Sequence, residues 1–144
     1  MSDWRRLTTM SDRVTLRAPV TDMDLQDLRS CAGLQLPQEY EDFLRCSDGL
    51  DVYSSIVFPS KDAVVRNTRP ITENWDELYM PVTGLFFFGE DASGDLFFFR
   101  RLKSCVDQSV YVWRHEDDSR IQIAFSLAGF LEKYLSGDYD AWNL

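Results

Sequence analysis

The chain is short of the groups on which most site chemistry depends. It has one histidine, His115, and three cysteines, Cys31, Cys46 and Cys105, with no C-x-x-C spacing among them. A single imidazole excludes paired-histidine metal sites and leaves any nucleophilic dyad dependent on that one residue. Isolated thiols supply neither a disulfide framework nor a zinc knuckle. They read as reduced, with Cys31 and Cys46 packing as small apolar residues in helices. No stretch approaches the roughly 20 apolar residues of a membrane span. The start, MSDWRRLTTMSDR, has no apolar run long enough for a signal peptide, and with the three thiols read as reduced the expected location is cytoplasmic. Basic charge is scarce as well: 15 Lys and Arg stand against 24 Asp and Glu, a formal charge of -9. Such a surface repels nucleic-acid phosphates and favours a basic protein partner.

The shortage of cations is sharpest from Pro70 to Phe99. That stretch has no Lys or Arg but holds Glu73, Asp76, Glu77, Glu90, Asp91 and Asp95. Two readings stand side by side: a solvated loop face, or a negative surface that steers and docks a basic protein. Trp75, beside these acids, reads as a partly exposed anchor, whereas Trp113, on an alternating segment, reads as core.

What the chain has in abundance is phenylalanine, six of its ten lying between Gly84 and Arg101 in GLFFFGEDASGDLFFFRR. Two apolar runs flank Gly89–Asp95, which is rich in turn residues, so the stretch reads as a β-hairpin. With Gly89 opposite Asp95, Phe86, Phe88, Leu96 and Phe98 share one face, and Leu85, Phe87, Phe97 and Phe99 share the other. Both faces are apolar, which suits the middle of a sheet or a place where one face meets helices and the other meets something else, and the Phe runs read as the centre of the sheet. Burying six Phe side chains contributes roughly 9–18 kcal/mol as an upper bound, so an exposed hairpin is excluded.

Around it the elements follow from local signals. Thr21 caps a helix carrying Leu25, Leu28 and Ala32, with Val20 as a staple onto Leu25 and Gly33 as its stop. Pro37 takes the first position of a second helix with Tyr40, Phe43 and Leu44 on its buried face, ending at Ser47–Gly49. Two short strands follow, around Leu50–Val52 and Ile56–Phe58. Ser60 starts a short helix and Thr72 another, the latter carrying Trp75, Leu78 and Tyr79. Ser109–Arg114 and Arg120–Ala124 form a second hairpin across His115–Ser119. Ser126 caps a last helix whose apolar face is Leu127, Phe130, Leu131, Tyr134 and Leu135, with Phe125 stapled onto Phe130. Strands joined by short turns and flanked by helices indicate a single α+β domain: an antiparallel β-sheet with helices packed mainly on one side. Residues 1–20 form an N-terminal arm in which Arg5, Arg6, Arg13 and Arg17 outnumber Asp3 and Asp12, and residues 21–144 form the domain.

The same residues bear on other chemistries. Glu90–Asp95 clusters oxygen ligands around a glycine, but the bidentate glutamate of an EF-hand is missing, so the expected metal content is none. A carboxylate pair of Asp91 and Asp95 has no evident substrate cleft. His115, followed by Glu116, Asp117 and Asp118, reads as a polar turn rather than a catalytic base.

Three phrases in order carry a family resemblance: L-P-x-x-Y-x-x-F-L with D-G-L (Leu36 to Leu50), F-F-G-E-D-x-S-G-D (Phe87 to Asp95), and V-Y-V-W-R-H-E with A-F-S-L-x-x-F-L (Val110 to Leu131). The chain resembles the SUKH superfamily, named partly for a fungal cell-wall assembly regulator and widespread in bacteria as immunity proteins against polymorphic toxins. The resemblance implies a non-enzymatic α+β domain that binds a protein, needs no cofactor and is often encoded beside the toxin it neutralises. It tips the acidic stretch toward binding. The expected partner is a basic toxin domain, such as a nuclease, met by Glu73, Trp75, Asp76, Glu77, Glu90, Asp91, Asp95, Glu116, Asp117 and Asp118. The alternative is a regulatory scaffold of the cell-wall assembly regulator type that binds a cellular protein.

Overall fold

Helix starts and stops follow the local chemistry closely. The computed structural model describes residues 4–68 and 81–140. Helix α1 (Asp22–Ala32) begins where the Thr21 hydroxyl accepts the amide of Asp24, and it ends at Gly33, whose φ of 68° only a residue without Cβ adopts freely. Helix α2 (Gln38–Cys46) differs by one position from expectation: Pro37 is the N-cap, with ψ at 131°, rather than the first helical residue. Helix α3 spans Ser60–Thr68 and α4 spans Leu127–Leu135, the latter capped by the Ser126 hydroxyl on the Gly129 amide. The expected staple from Phe125 onto Phe130 is not formed. Phe125 is 80% exposed, whereas Phe130 is fully buried. The expected helix from Thr72, with Trp75, Leu78 and Tyr79, lies outside the described residues.

The class is α+β, with the strands divided between two antiparallel sheets instead of one. Thr15–Leu16 (β1), Leu50–Val52 (β2) and Ser54–Val57 (β3) make a three-stranded sheet in that order. Leu85–Glu90 (β4), Leu96–Arg100 (β5), Val110–Arg114 (β6) and Ser119–Ala124 (β7) make a four-stranded meander. Strand β5 is central in it, but β4 is at the end of the order, so only half of the phenylalanine hairpin occupies the middle of a sheet.

A β-bulge resets the hairpin's faces. Phe86 pairs with Phe99 and Phe87 with Phe98, then Gly89 pairs with Phe97 and the register passes over Phe88. One extra residue in β4 shifts the partners, so Phe97, Phe98 and Phe99 each lie on the opposite face from the one a regular hairpin would give them. Phe86, Phe88, Phe97 and Phe99 therefore meet α2 and α4: the Phe88 ring stacks on Phe99 at 4.4 Å, Tyr40 lies against Phe86, Phe88 and Phe99, and Phe130 packs on Phe97 at 4.6 Å. The other face gathers Phe87, Phe98, Tyr111 and Trp113, with Phe98 stacked on Tyr111 and Trp113 only 1% exposed.

The outer edge of β4 is closed by side chain and strand together. Asn67 from α3 donates to the Phe87 carbonyl and accepts the Phe87 amide, both at 2.8 Å, so its carboxamide imitates a neighbouring strand. Beside it the Phe58 amide donates to the Phe88 carbonyl at 2.7 Å. The contact is tightest at Gly89, where a Cβ would stand 1.8 Å from the Ile56 carbonyl oxygen. The N-terminal arm also joins the core. Its 3-10 turn, Trp4–Thr9, buries Trp4 and Leu7, and the Trp4 ring meets Phe43 edge-on at 5.1 Å.

These contacts set measurable costs. Gly89→Ala should lower stability by about 3 kcal/mol or more in urea denaturation, because backbone rather than a flexible side chain must move. Asn67→Ala strands an amide and a carbonyl and should cost about 2–3 kcal/mol; an unchanged midpoint would mean another group takes its place. Tyr40 is fully buried and its hydroxyl has no hydrogen-bond partner among the described residues. Tyr40→Phe should therefore raise stability by about 1 kcal/mol near neutral pH. Burial, and then Asp48 and Cys31, push the Tyr40 phenol above its ordinary value. A raised folded value means its contribution is complete below the unfolded value of about 10 and is lost as pH rises beyond it. The Phe variant should then lose less stability than the wild type at strongly alkaline pH.

Candidate partner-binding surface

The meander brings two acidic turns to one end of the four-stranded sheet. Strand β5 starts beside the end of β6, with Leu96 opposite Trp113, so the β4–β5 tip and the β6–β7 turn are neighbours. Six of the expected binding residues, Glu90, Asp91, Asp95, Glu116, Asp117 and Asp118, meet there. The other four, Glu73, Trp75, Asp76 and Glu77, lie outside the described residues.

Within this group the carboxylates have different work. Asp95 is only 5% exposed; it bonds the His115 ring through Nδ1 at 2.8 Å and lies 4.0 Å from the Arg114 guanidinium. Gly94 permits that closeness, since a Cβ there would stand 3.3 Å from the imidazole, and its φ of 98° suits glycine. His115 thus ties the two turns together. Glu90 pairs with Arg66 at 3.2 Å, and Asp118 accepts from Trp113 Nε1 at 2.6 Å and pairs with Arg120 at 3.1 Å. These three acids are largely spent on structure. Glu116 and Asp117 are exposed at the turn. The Ser119 hydroxyl and amide hold the Asp117 carboxyl below the usual carboxylate range, so it stays charged well into acid.

Asp91 differs from all of these. One of its oxygens accepts the Ala92 amide and the Tyr134 hydroxyl, both at 2.8 Å, and the other accepts the Ser93 hydroxyl at 3.1 Å. No cation pairs with it among the described residues. It faces a cavity of about 410 Å³ whose walls also include Arg13, Val52, Tyr53, Tyr134 and Tyr139. The Tyr134 and Tyr139 rings stack at 5.3 Å. Burial raises both phenols above their ordinary value, with Asp91 adding to it, so both stay neutral. Across the opening Tyr53 is 76% exposed, and the Arg13 guanidinium lies 4.7 Å from its ring centre.

Tyr53 went unread in the sequence, Arg13 was read only as one of the cations of the N-terminal arm, and Tyr134 was legible only as part of an apolar helix face. One signal was available. Tyr53 is a bulky residue between two strands, where a glycine or asparagine is usual, and its φ is 64°. Among the described residues, no three His, Cys, Asp or Glu side chains are grouped to hold a metal ion, and no helix is long and apolar enough to cross a membrane.

No curated protein matches the chain. A protein-family model does, over residues 19–133, from just before the Thr21 cap into the last turn of α4. That span takes in both acidic turns, α1 to α3 and most of α4. The chain therefore belongs to the SMI1/KNR4 family (SUKH-1).

Proposed function

We propose that this is a non-enzymatic cytoplasmic protein-binding domain of the immunity type, which neutralises a basic toxin domain through its acidic sheet end. The observation that carries the reading is the convergence of the two hairpin turns, where Glu116 and Asp117 are exposed and Asp91 borders an open aromatic cavity. Glu90, Asp95 and Asp118 hold the turns in place through Arg66, His115 and Arg120. A surface of this kind attracts a positively charged protein over a distance and then presents aromatic area to it. A nuclease is a fitting target, since a site that binds phosphate is itself basic. Glu73, Asp76 and Glu77 extend the same charge in sequence, Trp75 stands among them, and all four are assigned to the same contact.

The purified chain should form a stable complex with the toxin domain encoded in an adjacent reading frame. Changing both Glu116 and Asp117 to Lys should slow association about tenfold and flatten its salt dependence, because both side chains are exposed and neither forms an ion pair among the described residues. Association kinetics at low and high salt read this directly. A rate unmoved by the double change would remove this surface from the contact. Binding to a cellular protein, with no toxin encoded nearby, would favour the regulatory scaffold instead.

A further inference from the structure

Four separate segments build the cavity beside Asp91: the arm through Arg13, the β2–β3 turn through Tyr53, the β4–β5 tip through Asp91, and the end of α4 with its continuation through Tyr134 and Tyr139. Their chemistry converges on one kind of guest. The Tyr53 ring already carries a guanidinium, that of Arg13, at 4.7 Å. Arg13 makes no ion pair among the described residues, so the ring face is what holds it. An exposed contact of this type is worth only about a two- to fivefold factor in an equilibrium. Asp91, for its part, has an oxygen with a single donor and no cation. The Tyr139 hydroxyl is buried without a hydrogen-bond partner among the described residues. The cavity thus offers a ring face with a loosely held cation, an uncompensated carboxylate and an unused hydroxyl.

We propose that this cavity receives an arginine side chain of the basic protein partner, which displaces Arg13 from the Tyr53 ring. The proposal rests on the reading of the chain as a protein-binding domain and names the anchor of that contact. Arginine fits better than lysine because a planar guanidinium stacks on a phenol ring while its N–H fork reaches a carboxylate. An acidic side chain would meet the charge of Asp91. Two guanidiniums in one cavity repel each other, which is why Arg13 must leave. Tyr53 borders the cavity and is 76% exposed, so its ring is open to an incoming side chain.

The test uses the whole chain, labelled with nitrogen-15, and three capped tripeptides: acetyl-Gly-Arg-Gly-amide, its lysine counterpart and its glutamate counterpart. The arginine peptide should shift the amide signals of Tyr53, Asp91 and Tyr139, the lysine peptide should bind more weakly, and the glutamate peptide should leave them in place. Arg13→Ala should strengthen arginine-peptide binding about threefold. Asp91→Asn, which still accepts the Tyr134 hydroxyl, and Tyr53→Asn, which tolerates the left-handed backbone, should each weaken it about threefold or more. Equal shifts with the glutamate peptide, or affinity unchanged in Arg13→Ala and Asp91→Asn, would overturn the proposal. A toxin complex that survives the Tyr53 and Asp91 changes intact would overturn it too, leaving the immunity reading in place. Peptide binding as expected with no toxin complex would do the reverse.

Discussion

Everything in this fold depends on how closely β3 can approach β4. The Ile56 carbonyl occupies the space where a side chain at residue 89 would begin, so only glycine lets the three-stranded and four-stranded sheets meet edge to edge. The bulge at the same place turns the Phe88 carbonyl outward to the Phe58 amide, and Asn67 completes the seal at Phe87. An end strand with six residues and apolar side chains on both faces would otherwise be an exposed pairing edge. Covered in this way, it becomes part of a single core that runs from Trp4 to Leu135.

That joint also sets where the acidic turns go. The Ser54 hydroxyl donates to the Glu90 carbonyl, which brings the β2–β3 turn beside the β4–β5 tip. Tyr53 and Asp91 consequently border one cavity although they are far apart in the chain. On the other side of the tip, the bond between Asp95 and His115 fixes the β6–β7 turn against it. The lone histidine thus serves as a tie between two turns, and the acidic cluster sorts into carboxylates that hold the turns and carboxylates that remain available.

Much of the local structure was legible in the residues. Thr21, Gly33 and Ser126 mark helix ends because capping is decided by one side chain and the few amides next to it. Both hairpins were readable for the same reason, with turn residues between β-forming runs. The hairpin faces were not, since a bulge depends on what presses on the strand from outside, here Ile56 and Phe58. Phe125 misled because a staple needs a particular entry direction, and the chain enters α4 with that ring in solvent.

The sequence by itself determined the class, the helix caps, the aromatic core and the surplus of acid, each of which follows from composition or from neighbours along the chain. Only the tertiary structure decided which acids remain free. Asp91 and Asp95 are four positions apart in one loop and look equivalent as letters, yet one is buried against His115 and the other borders an open aromatic cavity. The difference comes from residues far along the chain, Tyr53, His115, Tyr134 and Tyr139, and contacts at that range are set by packing rather than by local preference.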